Sequence, residues 1–388
     1  MSYLALYRKY RPKTFEEVVG QNHITTTLQN QIKNNTISHA YLFTGTRGTG
    51  KTSCAKIFAN AINCLNPQNG SPCLECEVCK ALANPANMDI LEIDAASNNR
   101  VDEIREIREK VKYAPVVGKY KVYIVDEVHM LTDSAFNALL KTLEEPPAHA
   151  VFILATTEVQ KLPATILSRC MRFDFKLVDY TELSKHIGKV FSSSNIRYEE
   201  PALDLIAKAG EGSVRDALSV ADMCASFCNN NITFSKTLQV LGSASKETLI
   251  ELVGYILNKN VNAYITLLTQ ILSDGKSVNM LNKDLTNHFR DLVLINSCDN
   301  ANMLLNLPAD VFEKMQQQAK SASVAKLLSC LEKFGSAEQN LKFSSNPRIA
   351  FETISLQAIL TEQNFNMQDI EARFNKIEQQ IADILKNE

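Results

Sequence analysis

The sequence has no excess of charge of either sign. Its 388 residues include 41 Lys and Arg and 43 Asp and Glu, which gives a formal net charge of -2. A nucleic-acid-binding protein of strongly basic overall composition is therefore excluded, although a local basic face is not. Long apolar runs are also missing, because none approaches the roughly 18 residues that a membrane helix needs.

The N-terminus has no signal-peptide pattern either. Its charged first 13 residues are followed by no apolar core, so export is not predicted and we expect a cytoplasmic protein with no membrane partner. The ten cysteines would then lie in a reducing compartment, where clustered thiols more often bind metal or stay free than form disulfides.

Four of these cysteines form a compact cluster with the spacing C-x8-C-x2-C-x2-C. They are Cys64, Cys73, Cys76 and Cys79. Four thiolates at this spacing complete a tetrahedral Zn²⁺ site of the structural kind, and the segment between the first two is rich in Asn, Pro and Gly, as a metal-bound loop would be. Four free thiols or an iron–sulfur site are the alternatives.

Short apolar runs alternate with helical patterns in the first part of the chain. The runs that predict buried strands are Ala40–Thr44, Met88–Ile93, Lys121–Val125 and Val151–Ala155. Helical patterns lie between them, for example Val101–Lys112. This alternation predicts an α/β domain in which a parallel sheet carries helices on both faces.

Strand-like runs end near Val178, and helical patterns follow to the end. We predict an α/β domain over residues 1–177 with the cysteine insertion at 64–79. An all-α unit would follow over 178–242, and a second all-α unit over 243–364. In residues 365–388, apolar side chains recur at steps of three and four. That pattern predicts a short amphipathic helix, with a coiled coil as the alternative.

A glycine-rich motif directly follows the first predicted strand and precedes a predicted helix. Its residues are Gly45, Thr46, Arg47, Gly48, Thr49, Gly50, Lys51 and Thr52, matching G-x-x-x-x-G-K-[ST]. Backbone N–H groups and the helix N-terminus would hold phosphates. Lys51 is suited to the β- and γ-phosphates and Thr52 to Mg²⁺. A chance glycine-rich turn is the alternative, and the strand and helix around the motif disfavour it.

Two carboxylates end the third predicted strand. Asp126 is placed to hold Mg²⁺ and its water shell, and Glu127 to orient and deprotonate an attacking water. A kinase would not need the second group. The alternative for Glu127 is a solvated charge at a strand end.

Several further motifs resemble AAA+ clamp-loader subunits. They are Tyr7–Pro12, Asp126–Met130, Phe136–Pro147, Ala155–Thr157, Ser168–Cys170 and Gly212–Ala217. Together with the four-cysteine insertion, they resemble the gamma/tau family of the bacterial DNA polymerase III holoenzyme. The resemblance implies a P-loop AAA+ domain, an all-α lid and an all-α collar domain, with ATP, Mg²⁺ and Zn²⁺ as cofactors.

The resemblance also assigns arginines and a threonine. It implies that Arg169 reaches the γ-phosphate of a neighbouring subunit, as an arginine finger. Arg169 lies just after the last predicted strand, and from the residues alone it would be a surface salt bridge. Arg215 resembles the second sensor, with a local ion pair to Asp216 as the alternative. Thr157 resembles the first sensor, and Thr156 competes with it.

The remaining assignments concern the adenine and DNA. Tyr7, Arg11 and Pro12 resemble the segment that covers the adenine, with a frayed basic terminus as the alternative. Arg100, Arg105 and Lys141 are candidate contacts to a DNA backbone, although solvated charges explain them as well.

Together these features lead us to expect an ATP-dependent motor subunit of a DNA sliding-clamp loader. Its partners would be other clamp-loader subunits, the sliding clamp and primer-template DNA, which it would bind without sequence specificity. We identify no polymerase carboxylates, so polymerase activity would belong to the holoenzyme. The rival hypotheses are another AAA+ machine, such as a branch-migration helicase or a protein remodeller, and an ATP-binding scaffold subunit that does not hydrolyse.

Overall fold

The computed structural model describes residues 4–84, 87–97, 101–241, 246–273, 275–305 and 309–360. The chain forms two units that divide between Val240 and Leu241. Arg100 and the tail 365–388 lie outside the described residues. The side chain of Arg105 is not described either, although its backbone lies in a helix.

A five-stranded parallel sheet organises the first unit. Its strands are β1 (Ala40–Thr44), β2 (Ile90–Asp94), β3 (Lys121–Asp126), β4 (Ala150–Thr156) and β5 (Met171–Asp174). The strand order is β2-β3-β4-β1-β5, and every neighbouring pair is parallel. Strand β1, which lies between β4 and β5, is buried along its whole length, as a strand covered on both faces should be.

Alternate residues of β1 enter two different cores. Tyr41 and Phe43 pack on one face with apolar residues of the helix Lys51–Asn63, such as Phe58. Ala40 and Leu42 pack on the opposite face with residues of other helices. This period of two explains why the strand is a continuous apolar run, and the predicted arrangement of helices on both faces is confirmed.

The sheet differs from the sequence prediction mainly at its edge. The strand β5 was not predicted, so the statement that Arg169 follows the last strand is wrong: Met171–Asp174 comes after it. Only one of its four residues is buried, and Arg172 and Asp174 form an ion pair on it. An edge strand of this composition lacks the apolar run that identifies a buried strand.

The helices of the first unit begin and end as follows: α1 (Leu6–Lys9), α2 (Asn22–Lys33), α3 (Lys51–Asn63), α4 (Glu77–Leu82), α5 (Val101–Val111), α6 (Asp133–Glu144), α7 (Ala164–Leu167), α8 (Tyr180–Ser193), α9 (Glu200–Ala209), α10 (Val214–Phe227) and α11 (Phe234–Leu241). Short 3₁₀ turns occur at Phe15–Glu17, Val128–Met130 and Val159–Lys161.

Helices α8 to α10 form a small helical bundle after the sheet, with a core of their own around Phe191 and Leu203. Two strands of two residues each also pair there, β6 (Arg197–Tyr198) and β7 (Asn231–Ile232). Strand structure therefore does not end completely at Val178, although helices dominate as predicted.

The second unit is helical throughout its described residues. Its helices are α12 (Lys246–Leu257), α13 (Val261–Ser273), α14 (Val278–Ser297), α15 (Ala301–Leu305), α16 (Ala309–Lys320), α17 (Val324–Phe343) and α18 (Pro347–Leu360). Phe289 of α14 stacks on Phe334 of α17 with 5.6 Å between ring centroids, and Phe334 also contacts Phe351 of α18. This aromatic row lies in the core that joins the long helices.

Candidate nucleotide site and cysteine cluster

The phosphate loop connects β1 to α3 through three glycines with positive φ. The φ angles are +138° at Gly45, +79° at Gly48 and +103° at Gly50. A Cβ atom at Gly48 would lie 2.0 Å from the Ser213 hydroxyl oxygen, and one at Gly45 would lie 2.4 Å from the Phe175 carbonyl oxygen. At both positions glycine is required by backbone angle and by space.

Lys51 is 6% exposed and folds back over this loop. Its Nζ donates to the Gly45 and Thr46 carbonyl oxygens over 2.8 and 2.9 Å. Burial lowers its pKa, while the negative charges of Glu127 and Asp126 act in the opposite direction. The ammonium group is thus held inside the loop that would bind phosphates, close to two carboxylates.

Thr52 and Asp126, the two residues predicted to bind Mg²⁺, are brought into contact. Thr52 Oγ1 donates to Asp126 Oδ2 over 2.7 Å. Thr52 lies in the first turn of the helix after the loop, and Asp126 is the last residue of β3, two strands from β1, so the order of the strands brings the two side chains together. A hydroxyl and a carboxylate are the ligands that P-loop enzymes offer to Mg²⁺.

Glu127 has a left-handed backbone conformation, with φ 48° and ψ 45°. Such angles are uncommon for a residue with a side chain and often mark functional turns. Its carboxylate accepts a hydrogen bond from Thr157 Oγ1 over 3.1 Å. Between the two competing threonines, it is therefore Thr157 whose hydroxyl contacts Glu127.

Thr156 lies in a different environment. It is fully buried, and its Oγ1 is 3.0 Å from His129 Nδ1 and accepts the Glu158 N–H. His129 also approaches Glu127 Oε2 at 3.5 Å and Glu158 Oε1 at 3.3 Å. No role for His129 follows from the sequence, because its partners Thr156 and Glu158 lie almost 30 residues away in the chain and no spacing rule links them to it.

A cavity of about 900 Å³ contains the phosphate loop and the predicted adenine segment. Tyr7, Arg11 and Pro12 line it, as do Arg215 and the acidic pair. The Arg215 guanidinium lies 5.4 Å from the centre of the Tyr7 ring, a cation–π distance. Arg11 Nε donates to the Ser53 hydroxyl over 3.0 Å, which ties the N-terminal segment to α3.

The cavity also has walls that the sequence analysis missed. They include Val18, Val19, His186 and Leu218. In a sequence, the apolar residues Val18, Val19 and Leu218 do not differ from core residues, and His186 belongs to no motif, so no local signal could have identified them. Burial lowers the pKa of His186, with the charge of Lys189 acting in the same direction, so the neutral imidazole is favoured.

Arg169 is placed away from this cavity, since the described residues that line it do not include Arg169. Its Nη2 pairs with Glu144 Oε1 at 2.8 Å, and its Nη1 donates to the Thr165 carbonyl oxygen over 2.8 Å. About a third of the side chain is exposed. In the single chain Arg169 therefore makes a surface ion pair, and it does not reach its own phosphate loop.

The four cysteines of the insertion converge on one point, although they are spread over sixteen residues. Their sulfur atoms all lie within 4.8 Å of one another. Two of the separations are 3.4 Å, between Cys64 and Cys73, and 4.0 Å, between Cys73 and Cys79. A tetrahedral Zn²⁺ with four thiolates at roughly 2.3 Å requires sulfur–sulfur distances of about 3.8 Å, so the arrangement fits this metal.

Backbone amides also point at these sulfur atoms. The Cys76 N–H donates to Cys73 Sγ, and the Cys79 N–H donates to Cys76 Sγ, each over 3.4 Å. The bond from Cys79 is the main cause that lowers the pKa of Cys76 to about 6. An amide that stabilises the thiolate also favours metal binding, because the thiolate is the ligand.

The DNA-contact candidates are only partly described. Lys141 is exposed in the last turn of α6. Arg100 and the Arg105 side chain lie outside the described residues. Among the described residues, no helix combines the length and apolarity needed to span a bilayer.

Fold and site together define the class of this protein. A parallel sheet in the order β2-β3-β4-β1-β5, a phosphate loop after β1 and an acidic pair after β3 are the elements of a P-loop AAA+ domain, here followed by a helical lid.

The comparisons with known proteins match the chain in three consecutive parts. A family described as DNA polymerase III, delta subunit, matches residues 20–179. DNA polymerase III clamp loader subunit, ATPase lid domain, matches 182–230, and DNA polymerase III subunits gamma and tau domain III matches 232–370.

Individual relatives agree with these matches. DNA polymerase III subunit tau of Bacillus subtilis is 43% identical over 98% of this chain and 68% of its own length. DNA polymerase III subunit tau/gamma of Haemophilus influenzae is 52% identical over 62% of this chain, but only 35% of its own length. A solved structure of Thermotoga maritima RuvB covers 80% of this chain and 90% of its own at 17% identity and a TM-score of 0.47, which is too low to add to the assignment.

This chain belongs to the gamma/tau family of DNA polymerase III clamp-loader subunits.

Proposed function

We propose that the chain is the ATP-hydrolysing motor subunit of a loader that places a sliding clamp on primed DNA. The observation that supports this proposal most strongly is a set of side-chain contacts at one end of the sheet. Thr52 contacts Asp126, Thr157 contacts Glu127, and Lys51 lies in the loop beside both carboxylates. A subunit that only binds ATP would not need the second of these pairs.

Each residue has a distinct task in hydrolysis. The phosphate loop binds the triphosphate through its N–H groups, and Lys51 moves from the loop carbonyls to the β- and γ-phosphates. Glu127 accepts a proton from the attacking water, and Thr157 holds the carboxylate that does so. Arg215 and Tyr7 contact the nucleotide from the side of the lid and the N-terminal segment.

Two metals are included in the proposal. Thr52 and Asp126 would hold Mg²⁺, which supplies neutralisation of phosphate charge when it is bound. Cys64, Cys73, Cys76 and Cys79 would hold a structural Zn²⁺, because their sulfurs are mutually close and all four positions are filled by protein.

Arg169 supports a shared site between neighbouring subunits. It is displayed at the surface, away from its own phosphate loop, and its ion pair with Glu144 is partly solvated. An exposed pair of this kind holds an arginine weakly, at about 0–1 kcal/mol, so a γ-phosphate of a neighbour would outcompete Glu144. Partners would then be other loader subunits, the clamp and the backbone of primer-template DNA, in the cytoplasm.

ATPase assays test this proposal against its two rivals. A clamp-loader motor should hydrolyse ATP in its assembled complex faster when both clamp and primed DNA are present than with either alone. A scaffold subunit would bind ATP without turnover under every condition. Another AAA+ machine would hydrolyse ATP with no response to the clamp, and that result would contradict the proposal.

A further inference from the structure

The loop between the first two cysteines of the insertion ends in a tight hairpin. Gln68 and Ser71 exchange two backbone hydrogen bonds of 2.8 Å, and the residues between them, Asn69 and Gly70, both have positive φ. Two consecutive residues with positive φ form the turn that matches the twist of paired strands. We call residues 68–71 the insertion hairpin.

The insertion hairpin lies against α2 and is not free in solvent. A Cβ atom at Gly70 would be 2.9 Å from the Cα of Gln29, so the backbone of the hairpin touches the backbone of the helix. The Asn69 side chain also accepts a hydrogen bond from Lys33 of α2. The position of the hairpin is therefore fixed at its tip.

Ser71 connects the hairpin to the segment that leads into the nucleotide cavity. Ser71 is only 3% exposed. Its hydroxyl accepts a hydrogen bond from the Phe15 N–H over 3.1 Å and donates one to Glu16 Oε2 over 2.7 Å. Glu16 Oε1 in turn accepts from Gln29 over 3.0 Å. Although burial raises the pKa of Glu16, these hydrogen bonds lower it overall, so the carboxylate that accepts them is favoured.

The residues that Ser71 holds are immediate neighbours of the cavity wall. Glu17, Val18 and Val19 line the cavity, and Phe15 is anchored in the sheet core at 2% exposed. A displacement of Phe15 and Glu16 would therefore move Glu17, Val18 and Val19, the part of the cavity wall against which a bound nucleotide would pack.

We propose that the cysteine insertion supports the nucleotide pocket by holding one part of its wall, residues 15–19, in position. Ser71 is the positioning residue that makes the contact. Zinc would act indirectly. By binding both Cys64 and Cys73, which is two residues beyond Ser71, it would hold the insertion hairpin in place. This inference rests on the proposed ATP binding, and it assigns to the insertion a role in nucleotide affinity.

The test is the affinity of the full chain for a fluorescent ATP analogue, with steady-state hydrolysis measured in parallel. Ser71→Ala should raise Kd and KM about three- to tenfold, the value of one or two hydrogen bonds. Its kcat at saturating ATP should stay within about twofold, because Glu127 and Thr157 are untouched. Gln68→Ala is the matched control, because the exposed Gln68 contributes to the hairpin through its backbone.

Zinc removal provides the second arm of the experiment. A zinc-selective chelator, used at constant free Mg²⁺, should weaken nucleotide binding to the wild type, but should add little to the effect of Ser71→Ala, because that variant already lacks the contact between the hairpin and residues 15 and 16. Glu16→Ala reaches the same contact from an exposed position, so it should raise Kd even if Ser71→Ala folds poorly.

Three outcomes would overturn the inference. Unchanged Kd in both Ser71→Ala and Glu16→Ala would show that the contact does not fix the wall. Equal weakening by the chelator in wild type and Ser71→Ala would place the effect of zinc elsewhere. A wild-type chain that binds no ATP would overturn the proposed function itself and this inference with it, a result that the other two do not resemble.

Discussion

The Thr157 hydroxyl donates to the Glu127 carboxylate over 3.1 Å, which links the ends of two adjacent strands. Residues 30 positions apart meet because β3 and β4 are parallel and end at the same edge of the sheet. Ligands of open α/β sheets bind at this carboxyl edge. The contact therefore brings the proposed base and the proposed sensor together at the edge of the sheet where such ligands bind.

The first prediction separates nucleotide binding from hydrolysis. Glu127→Gln keeps the shape of the side chain but removes the base, so ATP should bind with nearly unchanged affinity while kcat falls by at least about a hundredfold. Lys51→Ala should weaken ATP binding itself, because the loop loses its cation. Equilibrium binding and single-turnover hydrolysis measure the two effects, and equal loss of binding in both variants would mean that Glu127 has been misassigned.

A second prediction distinguishes the two threonines. Thr157→Val removes the hydroxyl that contacts Glu127 and should lower kcat about tenfold or more with little change in stability, because Thr157 is only partly buried. Thr156→Val removes the contact to His129 in a fully buried position, so its main effect should be a lower melting temperature. The reverse pattern in paired kinetic and thermal measurements would make Thr156 the sensor.

The metal prediction concerns zinc content. Purified chain should carry one zinc, and Cys76→Ser should lower that ratio while ATP binding survives in weakened form. Cys298→Ser is the matched control, since it changes a half-buried cysteine outside the cluster. Metal analysis by mass spectrometry decides the question, and full zinc retention in Cys76→Ser would contradict the assignment.

Much of the fold could be predicted because a buried strand appears in the sequence as a short continuous run of apolar residues. Ala40–Thr44 was predicted with its observed bounds, since every residue of β1 is buried and apolar residues dominate it. The edge strand Met171–Asp174 has no such run, because three of its four residues are exposed. An exposed strand is specified by its hydrogen-bonded neighbour, which is distant in sequence.

The site shows the same division. The phosphate loop and Asp126 follow from local spacing, whereas the contacts of His129 and Ser71 do not. His129 follows β3 and contacts Thr156 at the end of the adjacent strand β4, 27 residues further along the chain. Ser71 contacts Glu16, which is 55 residues away. Such pairs depend on how separate elements pack, and a single sequence contains no rule that joins them.

Asp89 offers a prediction about stability and pH. Its carboxylate accepts the N–H groups of Val116, Val117 and Gly118 over 2.7, 2.7 and 2.9 Å. Although burial acts to raise the pKa, these bonds and the charge of Lys121 hold it below its usual range. Because the folded-state pKa is lower than the unfolded one, the stabilisation is present above about pH 4 and is lost as pH falls through the folded pKa.

Asp89→Asn should therefore reduce the free energy of unfolding by about 2 kcal/mol at pH 7, because the amide offers one acceptor oxygen and no charge. The difference from wild type should shrink as pH falls below about 4. Urea unfolding at several pH values measures it. Asp133→Asn, at an exposed helix start, should cost less than about 1 kcal/mol, and an equal effect of both substitutions would refute the special role of Asp89.

The last prediction tests whether the site is shared between neighbouring chains. Arg169→Ala should leave ATP binding in its own phosphate loop intact, since Arg169 does not line that cavity. Hydrolysis in the assembled complex should still fall by at least about a hundredfold, the cautious side of what an arginine finger contributes. Glu144→Gln is the matched control: it removes the surface ion pair but keeps the arginine, so it should preserve hydrolysis.

Mixing two inactive variants makes this test decisive. A Lys51→Ala chain has no working phosphate loop but still displays Arg169, whereas an Arg169→Ala chain has an intact loop and lacks the cation. Placed side by side, the first should supply the arginine to the second, and part of the activity should return. If complexes shown to contain both chains as neighbours recover nothing, or if Glu144→Gln is as inactive as Arg169→Ala, Arg169 acts within its own subunit or only in the structure of its own chain. Hydrolysis would then not depend on how neighbouring subunits are arranged, and a motor that couples ATP to the geometry of a subunit ring would have lost its physical basis.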